Sequence, residues 1–550
     1  MKTTHLSFFL LTFMSIISTK GFGQKQEIKL QPGATIEIEK TKSPLLSTIL
    51  YSDEKGYLAL NYYSVNNESV CFLERINRNM EVIDSIAIQR PPYDNHVQTA
   101  KFGTDVFLSG RFFTGFQMLN NKATVFWTVV NKETNEYKLF CQQFDTEKLS
   151  PISKLVELAS LKSACNWVIS NFRTEFDFFK TAVSPDQKLL AVTCNAKSSE
   201  KSDSCCQVAM VFNDEFKNIW TKKIVYPFPY YLFDARQTEI TNSGDIVMSG
   251  LQIMAKQSSI LRNSFSFRRY TPYIHLRGQF HISSFSDNGN QISDRVLELK
   301  NSNITDMVFA MRENTAVIKG FWNTEENFLD SKLDFSGFII SNGDFTSKFD
   351  IKTQEISSVS SSLFPEQYRF DKNGKADPSA TPALYNLVAQ KIIFLPSSEI
   401  LLLSESLNFN FISKGSNMYL IGSAYVSRYS ENGIMKSMAN VIKPDVPSYA
   451  PPSLYSKVCY VKNYVYFINK NNIEIVYSRN NIIDKKPESS IYLAEVNESG
   501  IVNVTLLAEI KKQKYFKIDY PRSFVDADNN AIVLFGIEGK VGRFWTGQTR

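Results

Sequence analysis

Polar turns alternate with short apolar runs along the whole chain. One unit recurs: a polar turn, then an apolar run of four to six residues, often closed by Gly or Ser. It is read at EKGYLALNYY (54–63), FGTDVFLSG (102–110), SPDQKLLAVT (184–193), NSGDIVMSG (242–250), RENTAVIKG (312–320), PSSEILLLS (396–404), VKNYVYFIN (461–469) and DNNAIVLFG (528–536). Identity between the copies is low, so the pattern carries the repeat rather than the letters. Around the fourth copy the elements are clearest. FDARQTEI (233–240), IVMSGLQ (246–252), YIHLRGQFHISSF (273–285) and ISDRVLEL (292–299) read as four strands joined by polar turns. The second strand is nearly continuously apolar, as expected of a strand covered on both faces.

Four-stranded antiparallel sheets repeated radially describe a β-propeller. The spacing predicts an all-β propeller of eight blades, with seven as the alternative and stacked β-sandwich domains as the competing architecture. After the eighth turn the chain supplies one strand too few. The alternating ATIEIEK (34–40) is expected to complete the last blade and remove an open sheet edge. Helical segments are scarce, and SKLVELASLKSACNWVI (153–169), the best candidate, reads almost as well as strand. DKNGKADPSATP (371–382) is expected as a loop between blades.

Length supports a repeat architecture. One hydrophobic core stops growing at about 250–300 residues, and the chain has 550. Its 42 Phe and 25 Tyr favour strands. With only 23 Gly, Asn, Asp and Ser must supply many of the turns.

The first residues read as a secretory signal. Lys2 precedes the apolar run Leu6 to Ile17, which is too short to span a bilayer. Gly21 and Gly23 stand at −3 and −1 of a cut before Gln24. Residues 24–550 would then form one propeller domain. Removing 1–23 leaves 59 Lys and Arg against 55 acids. That near-neutral balance gives no reason to expect nucleic acid or an anionic membrane as partner. No later apolar run reaches spanning length.

Seven Cys are present, at 71, 141, 165, 194, 205, 206 and 459. Export permits disulfides without demanding them. Cys194 closes one strand and Cys205–Cys206 opens the next, so a bridge from Cys194 to Cys205 or Cys206, most readily Cys206, is one reading. Buried thiols are the other, and zinc lacks both a CxxC pair and a nearby His.

The centre and end of the chain resemble a family of uncharacterised exported proteins of the Bacteroidota. The resemblance rests on FFKTAVSPDQKLLAVTC (178–194) and VFNDEFKNIWTKKIVYPF (211–228), on NITDMVFAMRENTAVIKGFW (303–322), and on PRSFVDADNNAIVLFGIEGKVGRFW (521–545). It implies an exported, propeller-like protein, resident in the periplasm or cell envelope. It carries over no catalytic residue.

Motifs of catalysis are missing. GxSxG, HExxH and the GxxxxGK[ST] phosphate loop are all absent, and beyond the signal only His96, His275 and His281 remain. Asp526, Asp528 and Asn530 begin like a Ca²⁺ loop, but Ala531 stands where Gly is needed and Ile537 where Glu is needed. No metal and no cofactor is expected. The aromatic run YPFPYYLF (226–233) is the best ligand-binding candidate. Pro227 and Pro229 exclude it from a central strand, and loops carry function. Tyr226, Phe228, Tyr230 and Tyr231 are therefore candidate contacts, joined by Trp322, with blade packing as the competing reading. The expected role is a non-enzymatic binding or scaffolding protein of the envelope, taking a protein or glycan. The alternative is a glycan hydrolase or lyase using carboxylates or Tyr in the axial funnel.

Overall fold

The computed structural model describes residues 30–548 except 38–42, 66–67, 93–109, 132–133, 135, 163–178, 198–203, 230–232, 254–277, 325–339, 358, 370–377, 380, 386, 413–415, 442–445, 449–463, 484–485, 511–515, 519–523, 527–530 and 539–540. Within these residues the protein is an all-β propeller with almost no helix.

Eight antiparallel sheets of four or five strands follow one another along the chain. Sheet 1 is Ser43–Asp53, Gly56–Val65, Glu68–Ile76 and Val82–Ala87. Sheet 2 is Gly110–Leu119, Lys122–Asn131, Glu136–Phe144 and Val156–Lys162. Sheet 3 is Phe179–Val183, Leu189–Lys197, Ser204–Asn213 and Asn218–Pro229. Sheet 4 is Phe233–Ile240, Ile246–Ile253, Gly278–Ser286 and Gln291–Leu297. Sheet 5 is Asn303–Arg312, Thr315–Asn323, Gly343–Asp350 and Glu355–Ile356, with Ser360–Leu363 also on its third strand. Sheet 6 is Leu387–Phe394, Ile400–Ile412, Ser416–Tyr429 and Met435–Val441, with Val446–Ser448 at its third strand. Sheet 7 is Tyr464–Asn469, Asn472–Ile483, Lys486–Val496 and Val502–Ile510. Sheet 8 joins Phe516–Ile518 and Phe524–Asp526 to Ala531–Glu538, Val541–Gln548 and Gln31–Glu37.

The strand Gln31–Glu37 pairs antiparallel with Val541–Gln548, so the N-terminal strand completes the last sheet, starting three residues earlier than the sequence pattern suggests. The segment 153–169 contributes the strand Val156–Lys162. Six copies of the repeat unit mark the second strand of a sheet. Two do not. Residues 102–109 lie outside the described residues, and VKNYVYFIN forms the first strand of sheet 7. In sheets 2 and 7 the corresponding turns are the tight Asn120–Asn121 and Lys470–Asn471, where Asn120, Asn121 and Lys470 take left-handed backbone without a longer polar marker.

Apolar clusters link each sheet to the next. Leu58 and Leu73 of sheet 1 meet Val125 and Trp127 of sheet 2. Leu139 meets Val192 of sheet 3, and Val211 meets Met248 of sheet 4. Ile282 meets Phe309 of sheet 5, and Phe321 meets Leu402 of sheet 6. Leu403, Ile475 and Leu534 connect sheets 6, 7 and 8. Val533 of sheet 8 then packs on Tyr57 and Ala59 of sheet 1. The circuit is closed, and the core is distributed between sheets rather than gathered at one centre. Large Phe and Trp side chains fill that space, because two twisted sheets face to face leave room for rings.

First strands of sheets 2 to 6 touch in succession and line the axis. Each runs the same way, so the ring has two ends. At the turn end, the first and second strands are joined by short hairpins. At the other end, here the loop end, first strands begin and second strands finish.

Candidate functional site

Buried polar side chains recur through the sheets. Three groups stand out.

The first surrounds His281. Its Nδ1 lies 2.9 Å from Asp294 Oδ2 and its Nε2 lies 3.3 Å from Gln252 Oε1. Ser283 donates to Asp294 Oδ1 at 2.7 Å, and the Tyr226 hydroxyl bonds Ser283 Oγ and Gln207 Oε1, each at 2.8 Å. Tyr226 stacks on both Phe228 and Phe233, with centroids 5.0 and 4.8 Å away, and the two phenylalanine rings stack on each other at 5.7 Å. The Phe233 ring in turn covers Gly250, where a Cβ would come within 2.1 Å of it. Burial, then the Asp294 carboxylate, push the Tyr226 phenol well above its ordinary range. The group is a satisfied buried network that locks sheet 3 to sheet 4.

This placement corrects the sequence reading of 226–229. These residues are not a connection but the end of Asn218–Pro229, the outermost strand of sheet 3. An edge strand tolerates both prolines, because its outer N–H groups have no ladder partner to lose. Tyr226 is buried and Phe228 half-buried, so Tyr226 packs between blades instead of facing a ligand. Tyr230 and Tyr231 lie outside the described residues. Trp322 is also a packing residue. It sits in the cluster between sheets 4 and 5, with Nε1 donating to Asp344 O at 2.8 Å.

Cys194 and Cys206 do not form the bridge considered from the sequence. Cys194 is opposite Val208 and Cys206 opposite Ala196. They are diagonal neighbours, for which Cα atoms stand about 7–8 Å apart, beyond disulfide reach. Cys194, Cys205 and Cys206 are buried thiols.

The second group crosses the axis-lining strands. Four of these carry a bulge near their start, with Thr114, Arg236, Thr305 and Gln390 as the extra residues, and the first strand of sheet 1 has one at Leu45. A bulge re-aims a side chain, and in sheet 4 that side chain is Arg236. Its guanidinium reaches Asp234, Nε to Oδ2 at 3.4 Å, and donates through Nη1 to Asp306 Oδ1 of sheet 5. It also lies 4.9 Å from the Phe280 ring centroid. The other oxygen of Asp306 accepts the Ala389 N–H of sheet 6 at 2.9 Å. Farther along, the Gln237 amide pairs with both backbone groups of Phe309, and Glu239 accepts the Met311 N–H at 2.9 Å. Burial raises the Glu239 carboxyl above its usual range. The contacts of Arg236 with Asp306, of Asp306 with Ala389, of Gln237 with Phe309 and of Glu239 with Met311 each join one sheet to the next.

The third group is Lys319, fully buried on the second strand of sheet 5. Its Nζ stands 2.9 Å from the Tyr429 ring centroid of sheet 6 and donates to Thr346. Asp344 is buried beside it and accepts from Ser362 Oγ at 2.6 Å. Burial lowers the Lys319 amine to about 7 and raises the Asp344 carboxyl.

Sequence reasoning missed Arg236, Asp306 and Lys319. Lys319 had a signal: a charge in the middle of the apolar run AVIKGFW. Among the described residues, no three His, Cys, Asp or Glu side chains gather as metal ligands, and no helix is long and apolar enough to cross a membrane.

No family model matches the chain, and no curated protein matches it. Solved structures resemble it distantly. A polysaccharide lyase, an ulvan lyase bound to a GlcA–Rha3S saccharide, is 10% identical over 79% of this chain and 91% of its own, with a TM-score of 0.38. The apocarotenoid oxygenase of Synechocystis is 8% identical over 91% of this chain and 96% of its own, with a TM-score of 0.36. The β-propeller domain of the trilobed protease from Pyrococcus furiosus is 9% identical over 80% and 95%, with a TM-score of 0.33. Likeness at this level carries no functional inference.

Proposed function

We propose that the chain is a non-enzymatic binding or scaffolding propeller of the cell envelope. In this reading the protein or glycan ligand is taken at the loop end. One observation carries it: charged side chains on the axis-lining strands clamp blade to blade, as Asp234, Arg236 and Asp306 do. A ring stiffened in this way is suited to presenting loops. Export rests on the signal-like residues 1–23 and on the resemblance to exported proteins of the Bacteroidota. Tyr230 and Tyr231 are the aromatic contacts retained from the sequence. The test is capture from envelope extracts together with a glycan array, comparing wild type with the Tyr230→Ala/Tyr231→Ala double variant. Recovery of a partner or glycan that the variant loses, at unchanged Tm, is the expected result. Recovery of nothing by wild type would sink the proposal.

A glycan hydrolase or lyase is the second reading. It is favoured by the convergence of those same three side chains within hydrogen-bond reach. Asp306→Asn separates the two. A clamp predicts a lower Tm, whereas a catalytic acid predicts lost polysaccharide turnover at unchanged Tm.

A further inference from the structure

Among the described residues, each sheet ends outward in a strand that pairs on one side only. A free edge of this kind invites another strand, and proteins blunt it with charge, proline or brevity. The outer strands of sheets 1, 2, 4 and 6 carry Asp84, Glu157, Asp294 and Lys436, and those of sheets 3 and 8 carry Pro227 and Pro32. In sheet 5 the outer pieces are the short Glu355–Ile356 and Ser360–Leu363. Sheet 7 is the exception. Its outer strand is Val502–Ile510, and residues 502–508 hold neither a charge nor a proline. Val504 and Leu506 are 53% and 45% exposed although apolar, and Asn503 and Thr505 are exposed beside them.

The direction of the backbone groups on this edge follows from the ladder. At the turn into the strand, the Asn497 N–H donates to the Ile501 carbonyl at 3.1 Å. From there the strand pairs residue for residue with Lys486–Val496, Val502 opposite Val496 and Leu506 opposite Tyr492. Hydrogen-bonded and non-hydrogen-bonded pairs alternate along an antiparallel ladder. Asn503 and Thr505 therefore turn their N–H and C=O groups inward, while Val502, Val504 and Leu506 turn theirs outward. The ladder slips by one residue at Leu507, and the bulge ends the straight edge.

We propose that two copies of the chain pair antiparallel along this edge, about a two-fold axis at Val504. In that register Val504 stands opposite Val504, and Val502 of one copy stands opposite Leu506 of the other. These are the residues with outward backbone groups, so each pair exchanges both hydrogen bonds. Asn503 falls opposite Thr505, polar beside polar. The edge selects a second copy as its occupant because it is its own complement. Apolar meets apolar at every outward position, and Glu498 and Glu509 both fall opposite uncharged residues, so no like charges meet. A two-fold contact uses the same surface on both copies and closes on itself, so assembly stops at a dimer. The straight edge is short, which makes the dimer a weak one. The proposal is independent of the ligand taken at the loop end.

Sedimentation velocity of the purified chain tests it. Loadings from about 1 µM to about 1 mM should show a monomer–dimer equilibrium. Amide exchange across residues 502–506 should slow at the highest loading. Val504→Lys sets like charges face to face and should weaken the dimer by at least about tenfold, with Tm unchanged because the side chain is exposed. Val504→Glu should do the same. Mixing the two variants should restore association, since the substituted positions face each other across the axis. A chain that stays monomeric at every loading would overturn the proposal. So would a dimer that Val504→Lys leaves intact, or a mixture of the two variants that fails to associate, because either would place the contact elsewhere.

Discussion

Lys319 is the residue whose position has the plainest consequence. Its amine is lowered to about 7 by burial, while an unfolded lysine takes its proton at about 10.4. Between those values the unfolded chain binds more protons than the folded one. The Lys319 contribution to stability is therefore fullest above the unfolded value and is lost as pH falls toward the folded one. Asp344 has the opposite slope, since burial raises its carboxyl: its contribution holds below the ordinary carboxylate range and is lost as pH rises through the raised value. Thermal melts of wild type and Lys319→Met should show wild type gaining on the variant from pH 7 to 10. Parallel curves over that window would refute the assignment. The charge itself was legible inside AVIKGFW, but its partners were not. Thr346 lies 27 residues away and Tyr429 belongs to the next sheet. Arg236 and Asp306, 70 residues apart, were hidden for the same reason.

Within elements, two sheets repeat one device. In sheet 1, Arg75 joins Asp53, Nη1 to Oδ2 at 2.8 Å, and also reaches the Thr146 carbonyl in a turn of sheet 2. In sheet 6, Arg428 joins Glu399 at 2.6 Å and reaches the Asn471 carbonyl in a turn of sheet 7. Both arginines are buried. Arg428→Ala leaves Glu399 without its buried partner and should cost about 3–5 kcal/mol. Lys436, half-exposed on the other oxygen of Glu399, should cost less than about 1 kcal/mol when changed to Ala. Denaturant midpoints of the two variants decide this, and equal shifts would be inconsistent with the device.

Glycines give a second contrast. A Cβ at Gly320 would lie 2.2 Å from Asp306 O, in the backbone of the neighbouring strand, whereas nothing lies within 4 Å of one at Gly115. Gly320→Ala should therefore lose about 1–3 kcal/mol or more, and Gly115→Ala should stay within about 0.5 kcal/mol of wild type. Strands and turns were the most legible features of the sequence: the four strands read at 233–299 appear at Phe233–Ile240, Ile246–Ile253, Gly278–Ser286 and Gln291–Leu297. The shortage of Gly is also accounted for, since Asn120, Asn121, Asp287, Asn288, Asn301 and Ser398 are among the non-Gly residues with positive φ. Edge-strand status was less legible. The prolines at 227 and 229 looked like a break because the pattern cannot say which strand lies outermost.

For the molecule as a whole, ring closure was readable from the missing last strand and the unassigned strand near the start. The candidate site was not, because every clamp joins residues from different sheets. Ile36→Pro removes a backbone donor from the closing strand, where Ile36 faces Gly542. The expected outcome is a lower Tm, faster amide exchange in Val541–Gln548 and concentration-dependent association through the uncovered edge. Unchanged exchange there would show that the strand does not close the ring.

That closing strand also sets an order of events in time. Gln31–Glu37 is made well before its partner Val541–Gln548. The first must stay unpaired while roughly 500 residues follow, and joining ends so far apart costs about 5 kcal/mol of chain entropy by the logarithmic loop law. Strand pairing of such high contact order is slow to form. The last sheet is therefore the chain's vulnerable stage, exposed to wrong partners until both ends arrive. After closure, neither end can peel away without breaking the other's ladder.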